Sequence, residues 1–202
     1  MTEDIAPAEI RAAWERESEL HGPGFAEPEA PAPRIVLFGA VPLAVELCGL
    51  GRALGWRPYV VDPRERFAVA DRFPGAEDVL VAWPEEAFAR LGGIDAATAV
   101  LLLTHDPVLD DPALEIALRS DAMFVGAMGS RRTQASRRER LLAAGLAEEE
   151  LARLSGPIGL DTGARTARET ALAILAEIVA VRHGRDGGRL TAGLGPIHEV
   201  TA

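Results

Sequence analysis

The chain has 202 residues, enough for one domain of ordinary size with a short appendage and too few for two separate large cores. Apolar residues make up 48% and charged residues 26%, a balance that supports a packed core and argues against disorder along the whole length. With 21 basic against 31 acidic residues the net charge is −10, which repels phosphate backbones and anionic lipid, so no nucleic acid and no membrane is expected as partner.

Residues Pro7 to Leu20 carry Ile10, Ala13 and Trp14 at helical spacing, and a short helix is expected there. The segment His21–Pro33 follows, where Pro23, Pro28, Pro31 and Pro33 exclude a helix or a central strand. Residues 1–33 are therefore read as helix and Pro-rich linker, residues 34–189 as the compact domain and residues 190–202 as a flexible tail. From Arg34 onward short apolar runs alternate with amphipathic stretches, the pattern of a parallel sheet covered by helices. Strands are expected at Arg34–Gly39, Arg57–Asp62, Asp78–Trp83, the strongly apolar and hence central Thr98–Asp106, Ala122–Gly129, and within Gly156–Ala164. Helices are expected over Val41–Gly55, with Pro42 in the first turn and Gly55 as the stop, over Pro84–Gly92, within Pro112–Ser120, and over Ser130–Ala144. A final helix spans Thr166–His183, with Ala171, Ile174, Leu175, Ile178 and Val179 on one face and a capping box of Thr166 and Glu169. The fold class is α/β: a doubly wound, mostly parallel Rossmann-like sheet with helices on both faces.

The first strand, turn and helix, with Asp62 ending the next strand, have the outline of a dinucleotide-binding unit. Gly39 to Asp62 is 23 residues, near the roughly 20 expected for an acid that holds a ribose. The glycine positions read Gly39-x-Val41-x-x-Ala44, however, so a β-branched side chain stands where bare backbone would approach a pyrophosphate. This disfavours NAD(P) in the usual pose, and Gly39 is open to a structural reading. Asp62, ahead of Pro63, is equally an ordinary turn starter.

In a sheet of this winding the first and fourth strands lie side by side, which sets Gly39–Val41 beside Thr104, His105 and Asp106 at the mouth of a cleft. His105 can shuttle a proton, donate a hydrogen bond or ligate a metal, with Asp106 to orient it; the same residues are also good turn and cap chemistry. One His and one Asp make a poor metal set, and no metal is expected. The fifth strand leads into Gly126, Gly129, Ser130, Arg131 and Arg132. The glycines free the backbone, Ser130 can cap a helix, and its orphan amides with two forked guanidiniums suit phosphate oxygens. Arg137, Arg138 and Arg140 are read as a solvated face paired with glutamates. Asp161 and Gly163 either reach the same cleft or serve as turn residues.

All 21 basic residues are arginine. The absence of lysine excludes a Walker-type phosphate loop, a Schiff-base enzyme and a Tyr-x-x-x-Lys dehydrogenase. Cys48 is the only cysteine, which excludes intrachain disulfides and cysteine-built metal sites; set between Leu47 and Leu50, it reads as a small buried residue. No stretch reaches the roughly 20 apolar residues of a membrane span, and a cytoplasmic protein is expected.

Three blocks in fixed order, RFPGAEDVLVAWP, VLLLTHDPVLDDPALEIALRSDAMFVGAMGSRRTQASRRERLLAAGL and LSGPIGLDTGARTARETALAILAEIVAVRHGRDGG, carry a more specific signal than any glycine motif. From Arg34 to Arg189 the chain resembles the C-terminal Rossmann domain of the XdhC/CoxI family, accessory proteins of xanthine dehydrogenase and related molybdenum hydroxylases. The resemblance implies binding of the molybdenum cofactor, a pterin with a phosphate and a dithiolene, its sulfuration by a cysteine desulfurase, and its delivery to the apo-hydroxylase. It implies a chaperone more than a catalyst. The pterin phosphate would then sit at the start of the Ser130 helix, with His105 and Asp106 at polar edges of the ring. Longer members carry a further N-terminal domain that Met1–Pro33 is too short to hold. An NAD(P)-dependent oxidoreductase or other nucleotide-using enzyme is the alternative, supported by Asp62 and weakened by Val41. An interaction module without a small ligand is a third reading, drawing on the acidic surface, with a homodimer as one assembly.

Overall fold

Six short apolar runs pair into one parallel sheet in the computed structural model, which describes residues 32–192. The strands are β1 (Arg34–Phe38), β2 (Arg57–Val61), β3 (Asp78–Leu80), β4 (Thr98–Leu102), β5 (Phe124–Ala127) and β6 (Leu154–Ser155). Their order is β3-β2-β1-β4-β5-β6, so the winding reverses between β1 and β4 and opens a crevice at their carboxyl ends. All five residues of β4 are buried, as a continuous apolar run in a sheet covered on both faces requires. The doubly wound α/β expectation holds.

Strand alternation divides the core in two. Val36, Phe38, Val100 and Leu102 point to the face covered by α2 (Pro84–Arg90), α3 (Pro107–Leu118) and α4 (Arg131–Ala143). Ile35, Leu37, Ala99 and Leu101 point to the face covered by α1 (Pro42–Ala53) and α6 (Ala167–Arg182). A single turn, α5 (Glu148–Leu151), precedes β6. Each fully buried Leu, Ile or Phe in these layers stabilises the fold by about 1.5–3 kcal/mol relative to exposure. Cys48 packs in the second layer, and burial pushes its thiol up to about 12 against the pull of Arg52. It is a core residue, protonated at neutral pH.

Pro42 opens α1 and Gly55, at φ +73°, closes it, both as expected. Several boundaries differ from the sequence reading. Helix α3 begins at Pro107, five residues before Pro112, because the Asp106 carboxylate accepts the Val108 N–H at 3.0 Å and Pro107 occupies a first-turn position that needs no donor. The preceding strand accordingly ends at Leu102 and not at Asp106. The last strand is Leu154–Ser155, not a segment within Gly156–Ala164, since Pro157 has no N–H for the ladder. Strand β3 stops at Leu80 instead of Trp83, and β5 is likewise shorter than Ala122–Gly129. Helix α6 starts with the Thr166–Glu169 capping box and buries Ala171, Ile174, Leu175 and Ile178, but Val179 is 37% exposed and lies off that face.

The expected helix at Pro7–Leu20, its linker up to residue 31 and most of the tail lie outside the described residues. Within them, Leu190–Ala192 form one 3₁₀ turn, and the described residues up to Gly188 belong to one compact unit.

Candidate functional site

On the β1–β2 side of the crevice, the chain turns out of β1 at Gly39 with φ +114°. A Cβ there would lie 2.6 Å from Thr104 Cγ2, so bare backbone is what lets this turn meet the segment leaving β4. The next amide, Ala40 N–H, donates to Asp62 Oδ2 at 2.9 Å. Arg64 completes the set: its backbone N–H and Nε donate to Asp62 Oδ1 at 3.0 and 2.8 Å, and its Nη2 to Oδ2 at 2.8 Å. Burial alone would push the Asp62 carboxyl up, but the hydrogen bonds from Arg64 and Ala40 together outweigh it and hold the carboxyl below its ordinary range. The acid that the spacing offers to a ribose is therefore already engaged by this chain's own donors.

On the β4–β5 side, the buried Thr104 hydroxyl donates to Asp110 Oδ1, and the buried Arg137 Nη2 donates to Asp110 Oδ2 at 3.1 Å. Arg137 Nη1 donates to Gln134 Oε1 and to the Met128 carbonyl, while Gln134 Nε2 donates to the carbonyls of Ala127 and Met128. This cluster ties the ends of β4 and β5 to α3 and α4. Burial pushes the Asp110 carboxyl up, with Thr104 and Arg137 pulling against it. Arg137 corrects the sequence reading, which placed it on a solvated face: it is 1% exposed because it shares its side of α4 with the buried Leu141 and meets Asp110 across the layer. Arg138 pairs with Glu148 as expected, whereas Arg140 pairs with Asp111, an aspartate, at 2.6 Å.

A cavity of about 270 Å³ opens beside this cluster, lined among others by His105, Asp110, Arg132, Thr133, Arg137 and Arg140. His105, from the loop after β4, and Arg132, from the first turn of α4, face one space. Ser130 caps α4 by accepting the Thr133 N–H at 3.1 Å. Arg131 is exposed and does not line the cavity; the Thr104 hydroxyl and the Asp106 carboxylate are engaged by Asp110 and by the α3 amide. Gly126 serves packing, since a Cβ there would stand 2.5 Å from Ile158 Cδ1, and Gly129, at φ +134°, turns the chain into α4. Asp161 and Gly163 are exposed and do not line the cavity.

Sequence reasoning missed Asp110, Gln134, Arg137 and Arg140. The available signal was Leu141, which sits one helical turn beyond Arg137. Among the described residues no cluster of His, Cys, Asp or Glu could hold a metal ion, and no helix is long and apolar enough to cross a membrane. The arrangement offers hydrogen-bond donors and positive charge to an acceptor-rich ligand.

Known proteins agree with this architecture. Residues 35–178 match the XdhC Rossmann domain. The molybdenum cofactor insertion chaperone PaoD of Escherichia coli (strain K12) is 29% identical over 87% of this chain and 46% of its own length. A probable xanthine dehydrogenase subunit of Bacillus subtilis (strain 168) is 30% identical over 75% of this chain and 44% of its own. A crystal structure described as a xanthine dehydrogenase from Bacillus halodurans superposes with a TM-score of 0.65 at 26% identity, covering 82% of this chain and 46% of that one. The chain thus spans less than half the length of each of these three proteins.

Proposed function

The chain belongs to the XdhC Rossmann domain family, and from that premise we propose that it acts in the maturation of molybdenum hydroxylases, holding the molybdenum cofactor as cargo rather than transforming it. The observation that carries this reading is the cavity at the carboxyl ends of β4 and β5, lined both by His105 from the loop after β4 and by Arg132 from the first turn of α4. Its donor set suits an anionic pterin: Arg132 faces the phosphate and His105 takes a polar edge of the ring, while Ser130 and Gly129, outside the cavity lining, set the start of α4 that carries Arg132. Arg131 contributes charge from outside the cavity. Thr104 and Asp106 act one step back, by holding Asp110 and starting α3. Residues 34–189 form the working domain in this reading, with the apo-hydroxylase as recipient, a cysteine desulfurase as sulfur source, and the cytoplasm as the place of exchange. A homodimer is compatible with it.

The test is pterin content of the protein purified from cells that make the cofactor. Wild type is expected to carry it and Arg131→Ala plus Arg132→Ala to lose most of it, with lower activation of an apo-hydroxylase. Equal retention by both would remove the proposed grip. The dinucleotide alternative finds its acid, Asp62, occupied by Arg64 and Ala40. Titration with NADH is expected to show no saturable rise in nicotinamide fluorescence.

A further inference from the structure

Behind the cavity, the buried cluster holds one donor more than it can satisfy. Arg137 directs Nη2 to Asp110 and Nη1 to Gln134 and the Met128 carbonyl, which fixes the plane of its guanidinium. Its Nε is the one buried side-chain nitrogen or oxygen atom among the described residues with no hydrogen-bond partner. Folded proteins leave few such atoms, and a charged one calls for an explanation. Two further observations bear on it. Arg137 lines the cavity, and so does Arg132, which makes no ion pair with any described residue. Three guanidiniums (Arg132, Arg137 and Arg140) meet two carboxylates (Asp110 and Asp111), which leaves one positive charge in a chain whose net charge is −10.

We propose that Arg137 is a ligand-binding residue: its Nε–H donates to an oxygen of a phosphate group seated in this cavity, and Arg132 supplies the balancing charge at the rim. The inference rests on the reading of this cleft as the cargo site and deepens it by naming the group recognised and the residue that recognises it. Phosphate is favoured over carboxylate because it offers oxygens enough for both arginines and carries up to two negative charges. The cavity has room beyond one phosphate group, so the class is a phosphate monoester.

The experiment titrates the full chain with inorganic phosphate, and separately with acetate, at constant ionic strength by calorimetry. Arg137→Lys keeps a cation for Asp110 but has no Nε–H. Saturable phosphate binding by wild type is expected, weakened about tenfold or more in Arg137→Lys, as loss of one charge-assisted hydrogen bond implies. Arg132→Ala is expected to weaken it similarly, and Arg138→Ala, whose partner Glu148 lies outside the cavity lining, to leave it unchanged. Should Arg137→Lys fail to fold, the Arg137 Hε resonance of wild type, assigned by ¹⁵N NMR, replaces it: a downfield shift on adding phosphate supports the bond, and an unmoved resonance overturns it. Equal binding by wild type and Arg137→Lys, acetate binding as tightly as phosphate, or no saturable binding below roughly 10 mM would each overturn the proposal. The two readings fail separately. Phosphate binding that depends on Arg137, in a protein that never carries a pterin, leaves the phosphate site standing and removes the cargo assignment; pterin retained equally by wild type and Arg137→Lys does the reverse.

Discussion

The two sides of the crevice are built from the same chemistry, an aspartate paired with an arginine, just beyond β2 on one side and between helices α3 and α4 on the other, and they end in opposite states. On the β1–β2 side, Asp62 gathers four donors from Ala40 and Arg64 and closes the place where a dinucleotide would lie. On the β4–β5 side, Asp110 accepts from Thr104 and Arg137 and leaves the buried Arg137 Nε–H without a partner, in a residue that lines the cavity. Topology decides where such a sheet opens. The local balance of donors and acceptors decides which side of the opening keeps a donor to spare.

The largest effect should come from breaking the ion pair on the open side. Arg137→Met strands a buried carboxylate and is expected to cost about 3–5 kcal/mol in chemical denaturation, most of it recovered when Asp110→Leu is added. A loss below about 1 kcal/mol would mean that Asp110 is already neutral in the fold and that the open side is held by Thr104 alone. Gly39→Ala tests the point where the two sides touch: positive φ and the 2.6 Å approach to Thr104 Cγ2 should together destabilise by about 3 kcal/mol.

Acid titration sharpens the contrast, because the two carboxyls are displaced in opposite directions. Asp62, held low, contributes stability that is present at neutral pH and is lost as the pH falls below about 4. Asp110, pushed up, contributes stability that is fully present below about pH 4 and declines as the pH rises toward its folded value. Asp62→Asn should therefore flatten the fall in Tm on acidification, and Asp110→Asn should steepen it; the same slope in both would erase the distinction. The smallest effect is expected from Ser130→Ala, which removes the α4 cap at a cost of about 1 kcal/mol by thermal unfolding and leaves the Asp110–Arg137 pair in place.

The core strands were legible because a buried parallel strand reads as an unbroken apolar run, and AVLL in β4 has no other good use. The α6 start was legible because its cap is local: Thr166 and Glu169 lie within one turn. Where the decisive partner is distant, one sequence gives little. Arg137 looks like its neighbours in an arginine-rich helix until Asp110, 27 residues earlier on another helix, is known to face it. The misplacement of α3 has a different origin. Both Pro107 and Pro112 can open a helix, and the choice falls to Asp106, whose side chain reads equally as a turn residue and as a cap. That His105 and Arg132 would line one space was readable from topology, and the local positive charge from the Ser130-Arg131-Arg132 run in an otherwise acidic chain. The rear wall of the site was not, since burial of a charge depends on what packs over it.

The rims of the sheet carry a last consequence. Among the described residues its outermost strands, β3 and β6, run for only three and two residues. A foreign strand arriving at either edge would find two or three places to hydrogen-bond before the ladder ran out. Copies of this domain are thereby poor templates for one another's edges, which favours staying dispersed at high concentration over growth into stacked fibrils.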